Sequence, residues 1–233
     1  MIRCWGQPKY GIDKVKLIGY ELFIREQSEE NGEWIVPYDF SRFSPKFVTD
    51  LLDKTIATFP RDLEILSFNL DQKQFVDLTY IKLIKDVQTR SSAKIYIELT
   101  ERSGKGDTKI DTTKIVLAAK AYYDAGISVC IDDVGTGSNQ VELINLLDPY
   151  VMEYKFALQN VRDKYSVQEI NTEVEFWRDV ATRHHKYFAL EGFEKYEDVA
   201  FIERFHPDIV QGYFFGVPHI MPIASDFRLS KED

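Results

Sequence analysis

The sequence has few of the residues that build disulfide frameworks or zinc sites. Its two cysteines, Cys4 and Cys130, are too few for a disulfide framework or a four-thiolate zinc site. Cys130 lies in an apolar run, so we expect a small core residue rather than a reactive thiol. The four histidines follow no metal-ligand spacing. Disulfide-rich folds and thiolate zinc sites are therefore excluded.

Long apolar segments are absent as well. No stretch of the sequence approaches the ~20 apolar residues of a membrane span, and residues 1–10 lack the apolar core of a signal peptide. Positive charge is also scarce, since 29 basic against 38 acidic residues give a net charge of −9. This charge argues against binding long nucleic acid through the overall field, but it is compatible with a small phosphate ligand held through metal ions. We expect a cytoplasmic protein that contacts no membrane.

The sequence does contain a regular alternation of strand-like and helix-like segments. No low-complexity linker divides it, and α/β barrels commonly reach this size as one domain, so residues 1–233 are predicted to form a single domain. Runs rich in β-branched and aromatic residues occur at 2–5, 16–24, 64–70, 94–99, 127–132, 150–156, 186–191 and 208–213. The helical segments between them predict a parallel sheet, and eight strands suggest a closed barrel. The first two strands lie too close together for a helix, which predicts a hairpin.

Polar residues fall at or near the ends of successive strand candidates. They are Glu21, Asn69, Glu98, Asp132, Lys155, Glu191 and Gln211. In a (β/α) barrel the C-terminal strand ends meet at one rim, where active sites lie. Carboxylates in buried strands carry a desolvation cost unless they are neutralised. Since four carboxylates face one lysine in this set, bound cations are favoured over pairing with Arg or Lys.

The ligands in this set suit a hard cation. Carboxylate and amide oxygens favour Mg²⁺ or Mn²⁺ over zinc. Asp132 and Asp133 together can hold two ions roughly 3.5–4 Å apart, an arrangement suited to in-line attack on a phosphodiester. Lys155 would then orient the attacking water or act as its base. Non-functional roles stay open for these residues, because an Asp-Asp pair is usually a solvated turn and a strand-end lysine often only extends toward solvent.

Taken in order, the motifs of the chain resemble those of the EAL domain family, the c-di-GMP phosphodiesterases of bacteria. The matching segments are Glu21-Leu22-Phe23-Ile24-Arg25, Asn69-Leu70, Glu98-Leu99-Thr100-Glu101, Asp132-Asp133-Val134-Gly135-Thr136-Gly137, Lys155, Glu191-Gly192-Phe193-Glu194 and Gln211-Gly212-Tyr213. Each motif alone is weak, but seven in the right order are specific.

The resemblance implies a fold, a reaction and a role for each matched residue. The fold would be an α/β, TIM-like (β/α)8 barrel with an antiparallel first strand. The reaction would be hydrolysis of c-di-GMP to linear pGpG with two Mg²⁺ or Mn²⁺ ions. The first ion would be bound by Glu21, Asn69, Glu98 and Asp132, and the second by Asp132, Asp133 and Glu191. Catalysis would involve Lys155, which engages the attacking water, with Glu21 and Glu191. Arg25 and Gln211 would bind the substrate. Glu101, Glu194 and again Gln211 would support the site.

Several positions depart from the family pattern. Leu22 and Phe23 replace the signature Ala and Leu, and Asp71 replaces a usual Ser. The loop after the two aspartates has Val134, Ser138 and Asn139 in place of Phe, Tyr and Ser. The most serious change is Ala157, where the family usually has Asp, and whether Glu153 replaces that carboxylate is open.

Because Ala157 lacks the usual carboxylate, a second hypothesis for the function stays open. A degenerate domain would act as a c-di-GMP receptor or as a protein-interaction module instead of an enzyme. A homodimer and a regulatory protein partner are further expectations taken from the family.

Overall fold

Ten strands form one continuous sheet in the computed structural model, which describes residues 1–12, 16–100, 110–137 and 139–229. The strands are β1 (Ile2–Gly11), β2 (Lys16–Gln27), β3 (Trp34–Ile35), β4 (Ile65–Leu70), β5 (Lys94–Leu99), β6 (Ser128–Ile131), β7 (Glu153–Ala157), β8 (Tyr187–Glu191), β9 (Ile209–Val210) and β10 (His219–Ile220). Eight of them, all except β3 and β10, close into a barrel. No helix in the described ranges is long and apolar enough to cross a membrane.

The first strand runs against the rest of the barrel. β1 pairs antiparallel with β2, with Gln7 opposite Glu21, and antiparallel with β9, with Tyr10 opposite Val210. From β2 through β4 to β9, neighbouring strands are parallel. The predicted hairpin and the predicted barrel with an antiparallel first strand are therefore confirmed. The last barrel strand is shorter than predicted, two residues instead of six.

Helices pack around the barrel, and some of them begin at recognisable capping residues. The helices are α1 (Pro45–Ile56), α2 (Gln72–Val76), α3 (Thr79–Gln88), α4 (Thr112–Asp124), α5 (Val141–Leu147), α6 (Leu158–Val161), α7 (Val167–Arg183), α8 (Val199–Phe205) and α9 (Asp226–Leu229). Ser44 caps α1, whose first residue is a proline, and Ser166 forms a capping box with Glu169 at α7. Asp71 caps the N-terminus of α2, since its side chain accepts a hydrogen bond from Gln74 N. One departure from the family pattern is thus a helix cap.

Alternation along β7 explains how charge enters the barrel. All five residues of this strand are buried. Because successive side chains of a strand point to opposite faces, Tyr154 and Phe156 pack among the apolar residues outside the barrel. Glu153, Lys155 and Ala157 share the other face, which points into the barrel. The apolar core therefore lies between strands and helices, while the barrel interior holds polar and charged groups.

A close backbone contact holds the end of β9 against the turn after β8. A Cβ atom on Gly212 would lie 2.3 Å from Phe193 O and 2.4 Å from Phe193 N. Phe193 N donates to Gln211 O at 3.3 Å, and Phe214 N donates to Phe193 O at 2.9 Å. The missing side chain of Gly212 is what lets the two segments come so close, and it fixes the neighbouring Gln211.

We predict that Gly212→Ala destabilises the fold by about 3 kcal/mol, the upper range for an overpacked site. Gly126→Ala is the matched control, because Gly126 has φ +77° but nothing within 4 Å of an added Cβ. It should cost only the left-handed conformation, about 1 kcal/mol. Urea unfolding of the two variants measures both values, and equal losses would show that the Phe193 contact does not matter.

Candidate active site

The ammonium group of Lys155 lies at the centre of four carboxylates. Lys155 Nζ is 2.7 Å from Glu98 Oε2, 2.9 Å from Asp132 Oδ1, 3.1 Å from Glu191 Oε2 and 3.4 Å from Glu21 Oε2. These acids come from β5, the end of β6, β8 and β2, so strands from around the barrel contribute to one cluster. The sequence-predicted residues are brought together, with Lys155 and Glu98 fully buried.

Two amide side chains hold Glu21 in place. Asn69 Nδ2 donates to Glu21 Oε1 at 2.6 Å, and Gln211 Nε2 donates to Glu21 Oε2 at 2.7 Å. Gln211 Nε2 also donates to Gln7 Oε1 at 3.0 Å, and Gln7 in turn donates to Gly216 O. Gln211 is buried, and its amide nitrogen is directed at Glu21. Its position therefore suits support of that carboxylate more directly than contact with a ligand.

The segment after β6 folds back onto β7 and presents a second carboxylate. Asp133 adopts φ +50°, and Val134 N donates to Lys155 O at 2.9 Å. Buried Asn139 donates through Nδ2 to Asp132 O at 2.5 Å. Asn160, which the sequence did not single out, donates through Nδ2 to Asp133 Oδ1 at 2.6 Å. Local contacts thus fix both aspartates at the end of the barrel.

The donor set fits a hard divalent cation. Asp132, Asp133 and Glu191 each offer a carboxylate oxygen, and these oxygens lie within 4.8 Å of one another. Asn69 Oδ1 is buried and, within the described part of the chain, has no hydrogen-bond partner. A buried acceptor of this kind suits a cation ligand, and oxygen donors suit Mg²⁺ or Mn²⁺. The residues that could hold a cation are therefore the acids of the cluster together with Asn69.

Crowding of like charges shifts the protonation of the cluster. Burial raises the pKa of Glu191 well above its usual range, opposed by Lys155 and reinforced by Asp132 and Glu21. Burial likewise raises the pKa of Glu21, reinforced by Glu98. For Glu98, burial is outweighed by the nearby Lys155 and Lys9 ammonium groups, which hold its pKa well below the usual range. The ionised forms of Glu21 and Glu191 are therefore disfavoured in this cluster.

The pKa of Lys155 is raised as well, which for a lysine favours the charged form. Burial alone would lower the pKa of its ammonium group, but Asp132, Glu191, Glu21 and Glu98 together raise it well above the ordinary lysine value. The group is consequently a charged hydrogen-bond donor at neutral pH. Donation of a hydrogen bond to the attacking water therefore suits Lys155 better than removal of a proton from it.

A second lysine lies beneath the cluster. Lys9 Nζ is 2.6 Å from Glu98 Oε1 and 3.7 Å from Glu153 Oε1, and all three side chains are fully buried. Glu153 is thus the partner of Lys9. Lys9 was missed from the sequence, although it lies two residues after Gln7 on the same face of β1.

The structure also places the position that departs most from the family pattern. Ala157 is buried at the end of β7 and lies directly opposite Glu191 on β8. A longer acidic side chain at position 157 would therefore reach the cluster. Asp132, Asp133 and Glu191 stay together without it.

The remaining predicted residues lie around the cluster. Half-buried Arg25 packs over the Phe23 ring, 5.5 Å from its centroid, and lines a pocket of about 80 Å³ together with Asn69 and Phe40. Glu194 is about half exposed and 3.9 Å from Arg162 Nε. It is linked to the site through Arg162, whose Nη2 donates to Gly192 O at 2.7 Å. Glu101 lies outside the described residues.

Comparison with known proteins reveals a family match. The model of the EAL domain matches residues 2–218. No curated protein sequence matches the chain.

Solved structures share the fold, among them three with c-di-GMP bound. The EAL enzyme Bd1971, bound to cAMP and cyclic di-GMP, has a TM-score of 0.75 at 18% identity, with 98% of this chain and 64% of that chain covered. The PaMucR phosphodiesterase in complex with c-di-GMP has a TM-score of 0.75 at 19% identity, with 97% and 94% covered. The Bacillus subtilis YkuI protein, with an EAL domain and in complex with substrate c-di-GMP and calcium, has a TM-score of 0.76 at 16% identity, with 99% and 60% covered. The chain thus spans less than two thirds of the Bd1971 and YkuI chains, and at these identities the likeness shows the fold.

The raised pKa of Glu191 predicts a pH-dependent cost to stability in protein freed of metal by EDTA. The pKa of a glutamate in the unfolded chain is about 4.3. When the folded state raises this pKa, the carboxyl group contributes stability below the unfolded pKa, and that contribution is lost as the pH rises through the folded pKa. We therefore expect Glu191→Gln to be more stable than wild type at pH 8, with the difference shrinking toward pH 5.

Urea unfolding at the two pH values measures this difference. Glu194→Gln, which changes a half-exposed glutamate three residues along the chain, should stay within about 0.5 kcal/mol of wild type. A Glu191→Gln protein that is less stable than wild type at pH 8 would show that its contact with Lys155 outweighs the repulsion.

Proposed function

Because the chain belongs to the EAL domain family, we propose that it is a metal-dependent phosphodiesterase that hydrolyses c-di-GMP to linear pGpG. The observation that carries this proposal is the cluster of four carboxylates around the Lys155 ammonium group. Carboxylates crowded to this degree attract divalent cations, which phosphodiester hydrolysis commonly uses. PaMucR and YkuI, which share the fold, were both solved in complex with c-di-GMP.

Two sets of side chains would hold the cations. Glu21, Asn69, Glu98 and Asp132 would bind one Mg²⁺ or Mn²⁺ ion, and Asp132, Asp133 and Glu191 would bind the other. When bound, such a pair lowers the pKa of a shared water and neutralises charge on the phosphoryl oxygens. The unpartnered oxygen of Asn69 and the mutual approach of Asp132, Asp133 and Glu191 support this assignment.

Protein groups would position the reacting atoms. Lys155, whose pKa is raised by the surrounding acids, donates a hydrogen bond to the attacking water and holds it in line with the phosphorus. Gln211 keeps Glu21 in its orientation through the 2.7 Å hydrogen bond. Arg25 lines the pocket next to Asn69, and its planar guanidinium suits a phosphate of the substrate.

A second candidate function is favoured by one observation. Ala157 places a methyl group directly opposite Glu191, where an aspartate would add a carboxylate to the cluster. The absence of that carboxylate weakens the case for hydrolysis of c-di-GMP more than the case for its binding. The second candidate is therefore a c-di-GMP receptor that keeps the pocket and does not cleave.

We predict Mn²⁺-dependent conversion of c-di-GMP to pGpG that EDTA abolishes. Lys155→Ala and Glu21→Ala should each lower the rate by about 100-fold or more, the usual cost of losing a group that acts on the transition state. Lys46→Ala, which removes an exposed lysine of α1, should leave the rate unchanged. Chromatographic quantification of pGpG measures all four proteins, and a rate unaffected by Lys155→Ala would contradict the proposal.

The receptor candidate gives a different pattern. The wild-type protein would bind c-di-GMP in calorimetry and form no pGpG, and Ala157→Asp would introduce product formation. We expect instead that the wild-type protein turns over the substrate and that Ala157→Asp changes only the rate.

A further inference from the structure

Lys9 and Glu153 form a charged pair in the barrel interior that the proposed mechanism does not use. Both are fully buried, with Lys9 Nζ 3.7 Å from Glu153 Oε1. Desolvation costs several kcal/mol for each buried ion, and apolar residues of similar size usually stabilise a fold as well or better. A buried pair at this place therefore calls for a role other than stability.

Glu98 connects the Lys9–Glu153 pair to the cluster of carboxylates around Lys155. Lys9 Nζ contacts Glu98 Oε1 at 2.6 Å, and Lys155 Nζ contacts Glu98 Oε2 at 2.7 Å. The two lysines thus hold opposite oxygens of one carboxylate. Because Lys9 occupies Oε1 from β1, Oε2 is the oxygen that faces the other acids of the cluster.

Charge explains the presence of Glu153. An ammonium group in direct contact with Glu98 would repel a cation bound by that carboxylate, since charges interact strongly in a buried site. Both carboxylate oxygens of Glu153 lack hydrogen-bond partners in the part of the chain that the structure describes, so its contact with Lys9 is an ion pair without further support. Glu153 is placed to offset the charge of Lys9.

We propose that Lys9 and Glu153 are positioning residues beneath the cation site: Lys9 restricts Glu98 to a single ligand oxygen, Oε2, and Glu153 offsets the charge of Lys9. This inference rests on the proposed function, because it assigns the support of a metal ligand. A carboxylate limited to one oxygen favours Mg²⁺ or Mn²⁺ over Ca²⁺, which readily takes carboxylates through both oxygens.

The test is a cycle of Lys9→Met, Glu153→Gln and the double variant. Mn²⁺ binding is measured by electron paramagnetic resonance without substrate at pH 8, and Ca²⁺ affinity is obtained by competition. Glu153→Gln should weaken Mn²⁺ binding by about tenfold, the low end for groups that support a metal ligand, because the charge of Lys9 is then unbalanced. The double variant should recover most of that loss.

Lys9→Met has a readout that a merely structural role would not move. With Oε1 released, the ratio of Ca²⁺ to Mn²⁺ affinity should rise by about tenfold. Lys46→Met, on the exposed face of α1, is the matched control and should change neither affinity.

The outcomes separate the inference from the proposed function. Wild-type protein that binds no Mn²⁺ would overturn the proposed function and this inference together. Wild-type binding with additive losses in the cycle, or with an unchanged Ca²⁺ to Mn²⁺ ratio, would overturn the inference alone. If Lys9→Met fails to fold by circular dichroism, Glu153→Asp decides: this variant keeps the charge, so it must bind Mn²⁺ more tightly than Glu153→Gln.

Discussion

The concentration of negative charge inside the barrel is the constraint on which the rest of the site depends. Four carboxylates lie within 3.4 Å of one ammonium group, and Asp133 adds a fifth acid beside them. Burial raises the pKa of Glu21 and Glu191, and the neighbouring acids raise both further despite the nearby Lys155. Stability of the fold and affinity for cations are therefore opposed at these positions, as is common for functional sites.

The barrel supplies the rigidity that such a cluster needs. Each acid lies on or directly after a strand, and the strands are fixed by apolar packing outside the barrel. Amide groups complete the support: Gln211 and Asn69 hold Glu21, and Asn160 holds Asp133. Two departures from the family pattern have local explanations in this frame. Asp71 caps a helix and Asn139 secures the loop after β6, whereas Ala157 leaves a space opposite Glu191.

Much of this arrangement could be predicted from the sequence, because strand alternation and strand ends are local signals. The barrel, the hairpin of its first two strands and the approach of residues such as Glu98 and Lys155 follow from them, while the antiparallel first strand of the barrel was implied by the family resemblance. Lys9 and Asn160 could not be found in this way, since each acts through a residue distant in the chain. Lys9 meets Glu98 across 89 positions, and only the closed barrel brings them together. The supporting role of Gln211 was implied by the family resemblance, whereas its partner, Glu21 on β2, is identified only by the closed barrel.

Whether the acidic cluster binds two divalent cations can be decided by counting the bound ions. Electron paramagnetic resonance of the purified protein titrated with Mn²⁺ gives both the number of bound ions and any magnetic coupling between them. We expect two bound ions per chain with coupled spectra, and loss of the coupling in Asp132→Asn. A folded protein that binds no Mn²⁺ would contradict this expectation, because Lys155 would then be the permanent counter-ion of the cluster.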